Sequence, residues 1–449
     1  MPTEPIDLED LTRRLVLSKK DEKEILRRLK EASGSDEWAK AILQEVKATE
    51  FLEGVTSEEL KDLLTYPRSG ISAGVGGLGC RGEGDFHIHS KIAQIVGKGG
   101  VIGVPEQDDS GIVSLDGKKG KKGSLVAITI DGVHSRLDRF PFLMGFHVAR
   151  AALRDLIVSG ARPLALLADV HIGNDGDVGK VLDLTAGIST VGDALGFPLI
   201  AGSTLRIGGD MVLGERLTGG VGAVGVVVHL TPRKAVRTGD MLIMTEGAGG
   251  GTIATTALFN GMGDIVEATM NLKTLRSGLA LLGSKLINRV HSMTDVTNGG
   301  IRGDALHMAS SSKVRIDIDQ EAFLFMIEPK VRKMLEKLDI DPLGVSIDSV
   351  LLSVAPKDAK AIIGLFKKQG VRSAVVGNVS KGSGVFLTME AGHVQKMKHR
   401  FRESAYTPIK KVVDRPPKDL TDIKARIDES ARRAIEKKKR LLKRLNKQT

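Results

Sequence analysis

The sequence predicts an α/β protein, built in α+β layers as two domains, with a helical extension before them and a basic helix after them. Three observations predict this. From about residue 85 to 403, apolar runs of strand length alternate with longer stretches of helical periodicity. Glycine clusters punctuate that alternation. The two ends of the chain lack strand-like alternation and carry charge of opposite sign.

Residues 1–66 read as short helices, with helix-start pairs at Ser18/Asp21 and Thr56/Glu59. Residues 67–84, which include "GISAGVGGLGCRGEG", break all periodicity and form a linker or a functional loop. The first α/β domain spans 85–230. In it "SLVAITID" is a buried strand ending in Asp131, "FLMGFHVARAALRDLIVSG" is an amphipathic helix stopped by Gly160, and "PLALLADVHI" is a strand. A further helix, "VGKVLDLTAGISTVGDALG", and the strands "PLIAG" and "GGVGAVGVVVHL" follow. The second domain spans 231–403, with strands at "VRIDID", "SVLLSVAP", "SAVVGNV" and "GVFLTME". Residues 404–449 form the basic tail.

The chain of 449 residues is long enough for two or three domains, and its 41% hydrophobic content is that of an ordinary soluble protein. No apolar run approaches the roughly 18 residues of a spanning helix. The acidic start "MPTEPIDLED" lacks the basic-then-apolar order of a secretory signal, so the expected location is the cytoplasm. One cysteine, Cys80, excludes an internal disulfide and a cysteine-cluster zinc site. The 53 glycines and 3% aromatics suit backbone-lined phosphate loops better than stacking platforms for bases.

Charge is unevenly placed within the net +11. Residues 1–66 hold 11 Lys+Arg against 16 Asp+Glu, whereas 418–449 hold 12 against 5. The ends should attract one another. The tail can also reach nucleic acid through phosphates, but Ile427, Ala431, Ala434, Ile435, Leu441, Leu442 and Leu445 make an apolar stripe that favours a packed or solvated helix. As a segment outside the domains, its removal is expected to leave nucleotide affinity nearly intact.

Acids at turns and strand ends supply the chemistry. In "HSMTDVTNGG", Asp295 is expected on a loop, with Asn298-Gly299-Gly300 turning the chain into a helix N-terminus suited to an anion. Asp108 and Asp109 sit in a turn, Asp131 closes a strand, and Asp155 follows on a helix. Each is also a plausible turn former or cap. Taken together they suit magnesium, a hard ion bound through a few carboxylates and substrate phosphates.

The order "DDSGIV", "TIDGV", "RDLIVSGARP", Gly-Ser-Thr after "PLIA", "TGD" and "TDVTNGG" resembles the aminoimidazole ribonucleotide (AIR) synthetase superfamily over about residues 74–395. That superfamily also contains selenophosphate synthetase, thiamine-monophosphate kinase and the hydrogenase-maturation dehydratase. The resemblance implies two α/β domains, a homodimer that closes strands from both subunits into a barrel, and ATP near the interface. The selenophosphate synthetase branch looks nearest. Through "GVGGLGCRGEGDF" it implies Cys80 and Arg81 as catalytic candidates, although Arg81 stands where that branch has lysine, and Ser203 stands where relatives have an acid or a histidine. Gly76, Gly77, Gly79, Lys91, Asp155, Thr204, Thr297, Gly299 and Gly300 are the implied nucleotide contacts, and Asp108, Asp109, Asp131 and Asp295 the implied magnesium ligands.

The implied activity is ATP- and Mg2+-dependent phosphoryl transfer to a small-molecule acceptor such as selenide, a phosphate, an amide or a carboxylate. The alternative is a nucleotide-binding assembly or maturation factor whose termini contact a protein partner. Cys80 is either a thiolate favoured by Arg81 or a small packed residue. His87 and His89 read as ordinary histidines, because no further nitrogen or sulfur ligand is near. "GKGGV" at 97–101 lacks the lysine-serine ending of a Walker loop, leaving Lys98 as a possible phosphate contact.

Overall fold

A computed structural model describes residues 6–49, 57–115, 124–297, 299–403, 405–413, 417 and 419–446. Thr56, Asn298 and Lys418 lie outside the described residues.

The acidic head is a three-helix bundle of Leu8–Leu17, Glu22–Ser33 and Asp36–Ala48. Ser18 ends the first helix, and Asp21 caps the second by accepting from the Lys23 amide, so only one member of the expected pair starts a helix. Leu8, Leu15, Ile25, Leu29, Ile42 and Leu43 fill the bundle core together with Leu213. An Asp7–Val212 bridge fastens the bundle to the first domain. Helix Glu58–Leu64 starts from a Ser57 cap.

The first domain is a five-stranded sheet of β1 (Gly111–Ser114), β2 (Leu125–Gly132), β3 (Ala161–Ile172), β4 (Leu199–Arg206) and β5 (Leu217–Val227), in the order β1-β2-β5-β3-β4. Among the described residues, its β3–β4 pair is parallel and its other pairs are antiparallel. One face packs on helices Pro141–Val158 and Val178–Leu195. Proline at the first turn starts the former helix, and Gly160 at φ +77° ends it, where a Cβ would stand 1.6 Å from the His229 carbonyl oxygen. The other face is open, with Ile128, Ile130, Ile200 and Leu205 exposed.

The second sheet holds β6 (Met241–Thr245), β7 (Val290–Val296), β8 (Arg315–Asp319), β9 (Ser349–Val354), β10 (Ser373–Ser380), β11 (Gly384–Thr388) and β12 (Val394–Lys396). Its order is β12-β11-β8-β10-β6-β9-β7. A continuous apolar core runs from Leu153, Leu156 and Ile157 of the first domain to Leu275, Val290, Leu352 and Ile362 of the second. The domains are therefore fixed side by side, which holds the tip of β7 against the helix bearing Asp155.

The C-terminal helix Leu420–Leu445 lies along helix Glu83–Val96. Arg440 pairs with Asp62 of helix Glu58–Leu64 at 2.8 Å, so the basic tail meets the last helix of the acidic N-terminal segment 1–66.

Candidate functional site

A cleft of about 1170 Å³ lies where β2, β3 and β5, the end of β7 and helix Glu83–Val96 meet. Its acids come from separate elements. Asp131 is near the end of β2, Asp155 is on helix Pro141–Val158, and Asp108 and Asp109 occupy the turn before β1. Asp295 is the penultimate residue of β7, not a loop residue as expected. The flanking Thr294 and Val296 are β-branched and buried, and pairing with β9 carries the strand past the acid. Beyond the strand, the Thr297 carbonyl accepts from the Gly300 amide at 2.7 Å. Gly299 and Gly300 have φ of +97° and +59°, and a Cβ on Gly300 would stand 2.3 Å from the Leu343 carbonyl oxygen, so glycine is required there. Helix Gly300–Ser312 follows, as anticipated, and points Asp304 back toward the acids.

Two buried arginines compensate much of the negative charge. Arg154 Nε donates to Asp295 Oδ2 at 2.6 Å, and another arm of the same guanidinium is hydrogen-bonded to Asp348. Arg233 donates to Thr294 Oγ1 at 2.8 Å and the Gln107 carbonyl at 2.9 Å, pairs with Asp109, and lies 3.7 Å from Asp304. The compensation is incomplete. Burial, and then Asp295 and Asp131, raise the Asp155 carboxyl well above the usual carboxylate range against the pull of Arg154. Burial also raises Asp109, opposed by Arg233 but reinforced by its acidic neighbours, and it raises Asp131 against Arg154. Asp304 is pushed up to about 7, chiefly by burial. Asp109 Oδ2 is buried without a hydrogen-bond partner among the described residues.

These features favour added positive charge, and carboxylate oxygens are the donors that magnesium takes. Among the described residues, no three His, Cys, Asp or Glu side chains already converge as a cation site. Guanidinium groups, rather than a closed oxygen cage, balance the acids. Asp108 differs from its neighbours. One oxygen accepts from the Asp109 amide and the other from the Arg233 amide, each at 3.1 Å, so it behaves as a turn former.

Of the residues singled out from sequence, Gly79, Arg81, Asp108, Asp109, Asp131, Asp155, Asp295 and Thr297 line the cleft together. Gly76, Gly77, Cys80, Lys91, Thr204, Gly299 and Gly300 are not in its lining. Gly76 packs near Ile71 and Ile88, and Gly77 near Phe401. Lys91, expected at a phosphate, pairs with Asp428 at 3.0 Å. Thr204 lies on exposed β4, where its neighbours Gly202 and Ser203 reach the cleft. His87 bonds to Asp428 at 2.7 Å, whereas His89 lines the cleft. Asp240 of "TGD" is buried against His291, Ser353 and the Arg237 amide, away from the cleft lining.

Several contributors escaped motif reading. Arg154 stands immediately before Asp155 in the quoted "RDLIVSGARP", a position that would have flagged it. Arg233 gives no local signal, since its partners are 61 and 124 residues away in sequence. Asp304 lies four residues past Gly300 and was recoverable as a member of the new helix's first turns. Asp85 is buried and accepts from the Gly79 amide at 2.8 Å and the Arg81 amide at 3.0 Å, fixing the glycine loop. Against the effect of burial, the hydrogen bonds from His89 and Gly79 hold its carboxyl below the usual range.

Comparison with known proteins agrees with this architecture. The model for the N-terminal domain of AIR synthase related proteins matches residues 107–227, and that for the C-terminal domain matches 237–390. An uncharacterized protein of Methanocaldococcus jannaschii is 46% identical, over 96% of this chain and 97% of its own. A protein of Myxococcus xanthus named selenide, water dikinase is 29% identical, over 53% of this chain and 67% of its own. The solved structure of hydrogenase maturation protein HypE in complex with ATP superposes with a TM-score of 0.54 at 15% identity, covering 64% of this chain and 88% of that one. With both domain models matched in order and the fold shared, the chain belongs to the AIR synthase-related superfamily.

Proposed function

We propose that the protein catalyses ATP- and magnesium-dependent phosphoryl transfer to a small-molecule acceptor. The observation that carries this is the meeting of Asp109, Asp131, Asp155 and Asp295 in one cleft, where burial, reinforced by acidic neighbours, raises three of the carboxyls and one buried oxygen of Asp109 has no hydrogen-bond partner among the described residues. Asp109, Asp131 and Asp295 would hold magnesium, which supplies neutralisation of phosphate charge when bound. The chain's own residues supply orientation and exclusion of water. Gly79 and Arg81 line the cleft with the acids, and their amides donate to Asp85, which holds that loop in place. Arg154 and Arg233 fix the acid side chains and offset part of their negative charge.

The ATP bound to the HypE relative and the name of the M. xanthus relative support this class of reaction. The exposed apolar face of the first sheet, beside which the cleft opens, supports a homodimer in which a second subunit covers it. Among the described residues no helix is long and apolar enough to cross a membrane.

A second reading, a nucleotide-binding assembly factor, is favoured by the two arginines already paired within the acid cluster. Incubation with labelled ATP, magnesium and a panel of acceptors separates the two. Transfer of the γ-phosphate to an acceptor is expected. Tight nucleotide binding without any transfer or hydrolysis would favour the factor, and no nucleotide binding would refute both.

A further inference from the structure

We propose that the C-terminal helix Leu420–Leu445 is a strap that positions the glycine-loop wall of the cleft. Helix Glu83–Val96 has two working sides. Asp85, Phe86 and His89 line the cleft, while His87, Lys91 and Glu83 are bonded to the C-terminal helix. Asp428 takes His87 at 2.7 Å and Lys91 at 3.0 Å, and Lys424 takes Glu83 at 2.5 Å. At the far end, Lys438 donates to the Ile95 carbonyl at 2.5 Å and the Val96 carbonyl at 3.3 Å, placing positive charge where the helix has unpaired acceptors.

The same C-terminal helix holds the segment that enters the glycine loop. Arg426 donates to the Ser69 carbonyl at 3.1 Å, Ser430 to the Pro67 carbonyl at 2.5 Å, and Lys437 to the Thr65 carbonyl at 2.7 Å. Both limbs of the loop are therefore tied to one rod. Between them, the Gly79 and Arg81 amides donate to Asp85, so a shift of helix Glu83–Val96 moves the loop with it. An exposed ion pair is weak alone. Here several act on one helix together with Ile423 and Ala431, which are buried. The strap itself lies beyond both matched domain models, which together run from residue 107 to residue 390. It reverses the expectation that the tail can be removed without consequence for nucleotide affinity.

The test is hydrogen exchange on the full chain carrying Asp428→Asn and Lys424→Met, substitutions at half-buried positions outside the hydrophobic cores. In the absence of nucleotide, amides of residues 83–96 should exchange about tenfold faster, while those of 141–158 and 300–312 keep wild-type rates. Asp428→Glu alone should retain most of the protection. The dissociation constant for a non-hydrolysable ATP analogue with magnesium should rise about three- to tenfold in the double variant. Unchanged exchange in 83–96, or equal acceleration throughout the chain, would overturn the strap. Faster exchange confined to 83–96 supports it even where the wild type binds no nucleotide, a result that refutes the proposed function separately.

Discussion

Replacing Asp295 with asparagine separates a cation ligand from a structural acid. Asp295 is only 2% exposed. Its Oδ2 accepts from Arg154 at 2.6 Å, and its Oδ1 accepts from Thr297 Oγ1 at 3.3 Å. An asparagine carbonyl can turn toward Arg154 and leave its amide facing the threonine hydroxyl, so the change replaces a charge-assisted bond with a neutral one, at about 1 kcal/mol. The opposing effect is relief of repulsion, since Asp295 raises the carboxyls of Asp109, Asp131 and Asp155. Arg154 retains Asp348. Folding stability should therefore change by about 1 kcal/mol or less. The cation loses far more. A unit charge pair about 4 Å apart at an effective dielectric of about 20 interacts by roughly 4 kcal/mol, so even partial loss lowers magnesium-dependent affinity by tenfold or more, about 1.4 kcal/mol. Calorimetric titration with a non-hydrolysable ATP analogue, with and without magnesium, measures it. Equal magnesium-dependent affinity in both proteins, with undiminished turnover, would refute the ligand role, and Asp131→Asn should share the phenotype.

Asp304, pushed up to about 7, holds a proton in the folded chain that an unfolded aspartate has released above about pH 4. Its contribution to stability is thus fully present below about pH 4 and is lost as pH rises through about 7. The stability of wild type relative to Asp304→Asn should fall between about pH 4 and 7 in denaturant unfolding, and a flat difference would count against the assignment. Gly300→Ala places a Cβ 2.3 Å from the Leu343 oxygen at φ +59°, so denaturation should show a loss above about 1 kcal/mol; a near-neutral change would mean that the turn readily rearranges. Ile130 is 74% exposed on the open sheet face, and Ile130→Glu should shift a dimer toward the 48.0 kDa monomer in light scattering; a wild type that is monomeric at micromolar concentration would remove the dimer proposal.

The parts legible in sequence were those specified locally. Alternation of apolar runs marked the strands around Asp131, and Gly160 marked the end of a helix by a backbone constraint that acts over a few residues. Asp295 was legible as chemistry but not as conformation. Gly299 and Gly300 suggested that the loop begins early, whereas pairing with β9 fixes the strand through Val296 from more than fifty residues away. Long-range pairing overrides a local turn signal in this case. The same limit hides the charge balance. Arg233 becomes part of the site only because the second domain packs beside the first, and Lys91 leaves it only because Asp428 arrives from the far end of the chain. A basic tail read from composition offers phosphates or solvent as partners. Its folded partners are backbone carbonyls at residues 63–69 and 95–96 and carboxylates on helices Glu58–Leu64 and Glu83–Val96. Those contacts turn a surplus of charge into a means of holding one wall of the cleft.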